Sequence, residues 1–365
     1  MVHRRYNFSA GPSALPTEVL QQAQNDLLDW QGRGVSVMEI SHRSDAFMQV
    51  LDEARNDLKK LLALPENYHV LFLQGGASAQ FAAVPMNLLR RSAKNVADYM
   101  VSGVWSEKAI KEAMHFGLIN QVLPGDYREY QRIPPAKDWC MATQSAYLHY
   151  CHNETISGLM FQHIPDIADV PLVADLSSII LAQNFPVSRF GLIYAGSQKN
   201  IGPAGMTLVI IREDLCGFAM QETPDILNYQ KQAEQGSMLN TPPTFTIYLA
   251  GLVFKWLIAQ GGVCAMESIN RQKSELLYQY IDQSHLYTNQ INPDYRSITN
   301  VTFHLNQPEY EAKFLALAQK QDLLHLKGHK KYGGVRASMY NAMPLEGAKR
   351  LVAFMQWFEQ YGYAA

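Results

Sequence analysis

The sequence predicts an α/β protein with a largely parallel sheet, followed by a smaller α+β region. Two observations carry this. In the first half, short apolar runs that end in small or polar residues alternate with stretches of helical periodicity. Beyond the pair Gly261-Gly262, longer helical stretches instead enclose two extended segments.

The apolar runs read as buried strands: HVLFLQGG (69–76), VADYMVSG (96–103), AYLHYCHNET (146–155), PLVADLSS (171–178), FGLIYAGSQK (190–199) and MTLVIIRED (206–214). Between the early ones, AQFAAVPMNLLRR (79–91) and SEKAIKEAMHFG (106–117) carry the helical period. Only NIGPAG separates the last two strands, which is too short for a parallel crossover, so that pair is expected to be antiparallel. FTIYLAGLVFKWLIAQ (245–260) is the most apolar long segment. It carries Lys255 and falls short of the roughly 20 residues of a membrane span, so it reads as a core or subunit-interface helix. Then follow a helix over 267–282, a strand over 297–305, a helix over 309–321, an extended segment over 334–342 and a final helix over 345–361. A chain of 365 residues exceeds one simple core, and the expected division is a large domain over 16–260 and a small domain over 261–365 joined by residues 1–15.

Composition removes several function classes. Lys and Arg total 31 against 33 acidic residues, and this net charge of −2 gives no basic surface for nucleic acid. Four scattered cysteines without a C-x-x-C pair supply neither a disulfide framework nor a zinc site, so no metal is expected and the cysteines read as reduced and cytoplasmic. The basic residues near Met1 are not followed by an apolar core, which excludes a signal peptide.

In open α/β sheets ligands bind outside the carboxyl ends of the strands. Here those ends offer Gly75-Gly76-Ala77-Ser78, Trp105, Thr155, Asp175 and Lys199. Singly, each has an ordinary reading: a turn, a core aromatic, a surface hydroxyl, a paired acid, a lysine reaching for solvent. No G-x-G-x-x-G or P-loop motif is present. Together they form a set. Gly-Gly-Ala-Ser opening a helix presents free backbone N–H groups to a phosphate. A lysine at a buried strand end is a usable nucleophile for Schiff-base chemistry. An acid 24 residues earlier suits a pyridinium nitrogen, and an indole suits a flat ring. One cofactor needs all of these, pyridoxal 5′-phosphate.

The motifs AGSQKNIGPAG, HYCHNETISG, ADLSS, SGVWSEKAIKEA, FSAGPSALP, SHRS (41–44), QGSMLNTPP and KGH…GGVRASMYNAMP resemble the phosphoserine aminotransferase family, from near one end of the chain to near the other. The resemblance implies a fold-type I pyridoxal-phosphate transferase with a mainly parallel seven-stranded sheet, acting as a homodimer with shared active sites. It implies transfer of the amino group of glutamate to 3-phosphohydroxypyruvate, and in bacterial members also to 3-hydroxy-2-oxo-4-phosphonooxybutanoate. It assigns Lys199 as the Schiff-base lysine and Asp175 as the pyridinium partner. Trp105 becomes the stacking ring, Thr155 the neighbour of the ring hydroxyl, and Ala77, Ser78 and Gln198 the phosphate holders. Asn240 and Thr241 reach the same phosphate from the second subunit. For substrate it assigns Ser9, Arg336 as the α-carboxylate clamp, His42 and Arg43 across the subunit boundary, and His329 with Lys330. Two departures stand out. Lys330 and Ser78 replace arginines found in relatives, so the distal anion meets fewer forked cations and weaker phosphate binding is expected.

Two rivals make different demands. A class V cysteine desulfurase needs a reactive cysteine in a mobile loop, whereas Cys151 and Cys216 adjoin strands and Cys264 a helix. A non-catalytic α/β ligand-binding protein has no need of Lys199, Asp175 and Trp105 together.

Overall fold

The computed structural model describes residues 3–126, 131–167 and 170–362. Seven strands form its principal sheet: β1 (Tyr68–Leu73), β2 (Val96–Met100), β3 (Leu118–Gln121), β4 (Leu148–Cys151), β5 (Leu172–Asp175), β6 (Leu192–Gly196) and β7 (Thr207–Arg212). Their order is β1-β7-β6-β5-β4-β2-β3. Only β7 opposes the others: it is antiparallel to β1 and β6, and every other pairing is parallel. The expected antiparallel pair is therefore present, with Thr207 opposite Gly196. Strand β3 was not among the expected strands. It is a four-residue edge strand, exposed or half-buried throughout, and Asn120 and Gln121 break the apolar run that marks its neighbours.

The helices in chain order are α1 (Thr17–Asn25), α2 (Asp45–Leu61), α3 (Gly76–Leu88), α4 (Val104–Ala113), α5 (Tyr229–Glu234), α6 (Thr244–Ala259), α7 (Gly262–Gln283), α8 (Glu311–Lys320) and α9 (Leu345–Trp357). Helix α3 begins three residues before the expected Ala79, straight after Gly75 at φ +94°. The sheet is covered on both faces, as parallel sheets require. Along β7, Leu208 and Ile210 enter one apolar cluster with Phe47, Leu51 and Phe254 of α2 and α6. Val209 and Ile211 enter the opposite cluster with Phe81 and Val84 of α3 and Ile110 of α4.

A third cluster gathers Phe8 with residues between Leu277 and Phe358. It lies around an antiparallel sheet of β8 (Tyr287–Thr288), β9 (Asn300–Leu305) and β10 (Val335–Ser338). Tyr6–Asn7 pairs in parallel with Leu323–Leu324, which ties the first residues to this late part of the chain. Among the described residues no single helix is long and apolar enough to cross a membrane. Helices α6 and α7 meet at an 82° bend, and α6 is mostly buried core, in line with its expected role.

Candidate active site

The carboxyl ends of β1, β2, β4, β5 and β6 deliver the site. Lys199 lies three residues beyond β6 and is half-buried. Its Nζ donates to Thr155 Oγ1 at 2.8 Å and sits 5.8 Å from the centre of the Trp105 ring. Thr155 follows the short strand Asn153–Glu154, itself just beyond β4. Asp175 ends β5 and is buried. Burial pushes its carboxyl up; the Lys199 charge opposes this first, followed by hydrogen bonds from Ser177 and Tyr194. Ser177 N donates to Asp175 Oδ1 at 2.9 Å.

The phosphate end is built from backbone. Helix α3 has no side-chain cap at Gly75, so the first-turn N–H groups, including those of Ala77 and Ser78, face outward without intrahelical acceptors. Gln198 immediately precedes Lys199, and its side chain packs against Gly196 and Gly11. The segment 8–13 straps this end to β10. Ser13 N donates to Gln198 O at 3.0 Å and Ser13 Oγ to Lys199 O at 2.6 Å. Tyr340 Oη donates to Ala10 O at 3.0 Å, and Ser338 N to Phe8 O at 3.3 Å. Ser9 sits inside this strap, half-buried, its Oγ accepting from Gly11 N.

Several features fit pyridoxal phosphate. The α3 N-terminus lacks a side-chain cap, the buried Nε1 of Trp105 has no partner among the described residues, and an amine, a hydroxyl and a buried carboxylate converge beyond the sheet. The residues present match a ring bearing an aldehyde, a phosphate and a basic nitrogen.

A second group lies on β10 and the turn before it. Arg336 is half-buried, and burial lowers its affinity for its proton. His329 is also lowered, by burial and then by Arg336, Lys330, Lys108 and Lys331, so an anion meets several cations here. The turn that presents them requires glycine. A Cβ on Gly328 would lie 2.0 Å from Gly333 O, and Gly334 has φ +65° with Phe303 O at 2.6 Å from a Cβ position. Lys273, fully buried on α7, fixes the segment after β10 by donating to the carbonyls of Met339 (3.3 Å), Tyr340 (2.8 Å) and Met343 (3.0 Å).

Four expected residues stand apart. His42 and Arg43 precede α2, and Asn240 and Thr241 are exposed before α6. No hydrogen bond or ion pair among the described residues links them to Lys199. His42 Nε2 is buried without a partner, and Thr241 O accepts from Gln74 Nε2 at 3.0 Å.

Sequence reasoning passed over Glu154. Fully buried, it accepts from Trp105 N (3.0 Å), Ser106 N (3.0 Å) and Ser106 Oγ (2.7 Å), so it anchors the start of α4 and with it the Trp105 ring. A Cβ on Gly103 would lie 2.3 Å from its Cδ. The signal was in the HNET motif: adjacent residues of one strand end, Glu154 and Thr155, hold Trp105 and Lys199 respectively. Asn153 extends the same strand end toward β9, donating to Asn300 Oδ1 and Ser178 Oγ, both at 2.8 Å.

Cys151 adjoins the site but is no nucleophile. It is buried, its thiol donates to Asn153 O at 3.4 Å, and burial, Glu154 and Asp175 all push its ionisation far up.

Comparisons with known proteins agree with this geometry. Residues 5–351 match the family model for aminotransferase class-V. The chain is 54% identical over 358 residues to the phosphoserine aminotransferase of Hahella chejuensis, covering 98% of this chain and 99% of that protein. The phosphoserine aminotransferase structure from Bacillus circulans subsp. alkalophilus superposes with a TM-score of 0.95 at 43% identity, covering 98% and 99% of the two chains. The pyridoxal-phosphate-bound enzyme from Trichomonas vaginalis gives 0.92 at 38% identity, covering 97% and 100%. With a lysine, an acid and an indole converging as such chemistry requires, and with full-length similarity of this degree, the chain belongs to the phosphoserine aminotransferase family of class-V aminotransferases.

Proposed function

We propose that the chain transfers the amino group of glutamate to 3-phosphohydroxypyruvate, giving O-phosphoserine and 2-oxoglutarate, and that it also accepts 3-hydroxy-2-oxo-4-phosphonooxybutanoate. The observation that carries this reading is the Lys199 amine held on Thr155 Oγ1 beside the Trp105 ring, with Asp175 buried nearby and His329 beyond among the cations of Arg336, Lys330 and Lys108.

Pyridoxal phosphate, when bound, supplies an aldehyde for Lys199 and an electron sink for the carbanion at the substrate α-carbon. The remaining work belongs to the chain. Lys199 Nζ takes the α-proton of glutamate as general base and later returns a proton to the α-carbon of the new amino acid as general acid. Thr155 Oγ1 accepts from that amine and orients it. Asp175 offers a carboxylate to a protonated ring nitrogen. Trp105 supplies an apolar face that excludes water. The α3 backbone N–H groups of Ala77 and Ser78, with Gln198, hold the cofactor phosphate. Arg336 grips the α-carboxylate with its fork. His329 and Lys330 meet the distal anion, and Ser9 borders the same space.

The site is completed in a homodimer. Asn240 and Thr241 of the partner subunit reach the phosphate, and His42 and Arg43 of the partner subunit reach the distal anion. The support is the exposed placement of Arg43, Asn240 and Thr241, the His42 Nε2 that lacks a partner among the described residues, and the exposed apolar side chains of Leu27, Leu28, Val35 and Met38. The division into a large domain over 16–260 and a small one over 1–15 with 261–365 is supported by the separate core that Phe8 shares with residues beyond Leu277. Four free cysteines support a cytoplasmic setting.

A coupled assay with glutamate and 3-phosphohydroxypyruvate, run beside Lys199→Ala, tests the reading. Turnover by the wild type and none by the variant, which also lacks the visible absorption band of the bound cofactor, is the expected result. A wild type that binds pyridoxal phosphate yet fails to convert this pair would overturn the substrate assignment.

A further inference from the structure

Beneath Asp175 lies a row of buried polar rings that the proposed chemistry does not use. Tyr99, His149, Asp175 and Tyr194 occupy four neighbouring strands, β2, β4, β5 and β6. The registers place Tyr99 opposite His149 and Asp175 opposite Tyr194, on one face of the sheet. His149 stacks on Tyr99 at 4.6 Å between ring centres and 22° between planes, and lies 5.9 Å from Tyr194 at the same angle. The His149 Nε2 and the Tyr194 hydroxyl share a hydrogen bond of 2.8 Å. Tyr194 sits directly opposite Asp175 in the sheet register, and its hydroxyl acts on the Asp175 carboxyl as a donor that lowers it. All four side chains are buried.

The direction of this chain of bonds follows from one atom. His149 Nδ1 is buried and has no partner among the described residues. Were the proton on Nδ1, a buried N–H donor would stand unsatisfied, the more costly state. A bare Nδ1 lone pair against an apolar wall costs less, so the proton sits on Nε2. Nε2–H then donates to Tyr194 Oη, which leaves the hydroxyl proton free for an acceptor, and Asp175 is that acceptor.

We propose that the buried pair His149 and Tyr194 is a positioning device for the reaction, a one-way chain of hydrogen bonds from His149 Nε2–H through the Tyr194 hydroxyl that fixes the Asp175 carboxylate toward the cofactor ring. It rests on the assignment of Asp175 as the ring-nitrogen partner. Neither residue touches substrate. The imidazole stays neutral, buried beyond reach of solvent protons, and the hydroxyl is the last donor in the row. Tyr99 supplies the stacking surface and spends its own hydroxyl on Tyr147 at 2.9 Å, so it does not compete.

Three variants separate the hydrogen-bond chain from packing. Tyr194→Phe removes one oxygen. His149→Phe keeps a ring for the stack and removes the donor. His149→Gln loses the ring but places an amide N–H close to where Nε2–H stood. Two quantities are measured on each: the dissociation constant for pyridoxal phosphate and kcat/KM with glutamate. Loss of a hydrogen bond to a buried charge corresponds to roughly tenfold to a hundredfold in either quantity. Tyr194→Phe and His149→Phe are expected to fall together by that much, and His149→Gln to stay within about threefold of the wild type. A His149→Phe variant equal to the wild type, a His149→Gln variant as impaired as His149→Phe, or an unaffected Tyr194→Phe variant would overturn the proposal. Cofactor affinity decides the matter even in a wild type that does not accept the phosphorylated keto acid, which keeps this test apart from that of the substrate.

Discussion

Replacing Glu154 by Gln tests whether the start of α4, and so the Trp105 ring, is held by a charged group. Its hydrogen-bond partners argue for its state. Ser106 Oγ accepts from Ser102 N at 2.9 Å and from Gly103 N at 3.0 Å; its own proton has two acceptors in reach, Gly103 O at 3.2 Å and Glu154 Oε1 at 2.7 Å, and the shorter contact favours Glu154. Oε1 also receives Ser106 N, and Oε2 receives Trp105 N. Both oxygens accept, which describes a carboxylate. Burial pushes this carboxyl up, and the bonds from Ser106 and Trp105 pull it back. In the Gln variant the oxygen keeps the two Ser106 bonds while the amide nitrogen confronts the Trp105 N–H. The loss is one charge-assisted hydrogen bond, about 1.5–3 kcal/mol, and the interaction of a negative charge with a helix N-terminus, up to about 2 kcal/mol when partly buried. Relief from burying a charge offsets part of this. The net expectation is destabilisation of about 2–3 kcal/mol, seen in a chain of 365 residues as a thermal midpoint lower by about 3–4 °C. Because Trp105 moves with α4, the affinity for pyridoxal phosphate drops by about tenfold, or about 1.4 kcal/mol. Differential scanning calorimetry and a cofactor titration measure both. A variant with the midpoint and affinity of the wild type would show that Glu154 carries a proton in the fold and that the reasoning from Ser106 is wrong.

Arg336→Lys keeps the charge on β10 but removes the fork, and is expected to lower kcat/KM for glutamate and for the phosphorylated keto acid alike, by about tenfold to a hundredfold. Steady-state kinetics with each substrate varied checks this, and a loss confined to one substrate would count against a shared α-carboxylate clamp. His149 and His152 are each pushed down by burial from 6.5 to about 3. Their unfolded forms therefore bind protons that the folded forms refuse, so the stability they contribute is present above pH 6.5 and is lost as pH falls toward 3. Asp175 and Glu154, raised by burial, act in the opposite sense: their contribution is full below their ordinary values near 4 and declines as pH rises through the raised ones. Urea unfolding between pH 7 and pH 5, above the ordinary carboxyl range, is expected to show proton uptake that His152→Gln reduces by nearly one proton at the acid end. An unchanged slope would refute a neutral His152.

Most of the sheet was legible because buried parallel strands are continuous apolar runs, and the candidate cofactor residues lie where those runs stop. Lys199, Asp175 and Thr155 stand where three of those runs stop, but each has an ordinary reading singly; they point to a cofactor only together, and the role of Thr155 comes from the family resemblance. Strand β3 was not legible, since an edge strand with one polar half carries no such run. Glu154 was hidden for a different reason. A buried carboxylate is recognisable only through the donors it meets, and those come from α4, 48 residues earlier for Ser106. Lys273 is the same case: its three carbonyl acceptors lie 66 to 70 residues away. The directed row from His149 to Asp175 depends on which side of each strand faces its neighbour, which the pairing register fixes and the strand sequences do not.

The strap formed by residues 8–13 has a consequence in time. Ser13 meets the Lys199 carbonyl 186 residues later, and Ala10 waits for Tyr340, 330 residues later. Closing so long a loop costs only slightly more than closing a short one, but its contacts form late. Sheet strands β1 to β7 are complete by Arg212, long before the tyrosine that anchors the strap has been synthesised. A nascent chain can thus own its reactive lysine and still lack the frame around it. The last contact of the strap, Tyr340 Oη to Ala10 O, becomes possible only when nearly the whole chain has been made.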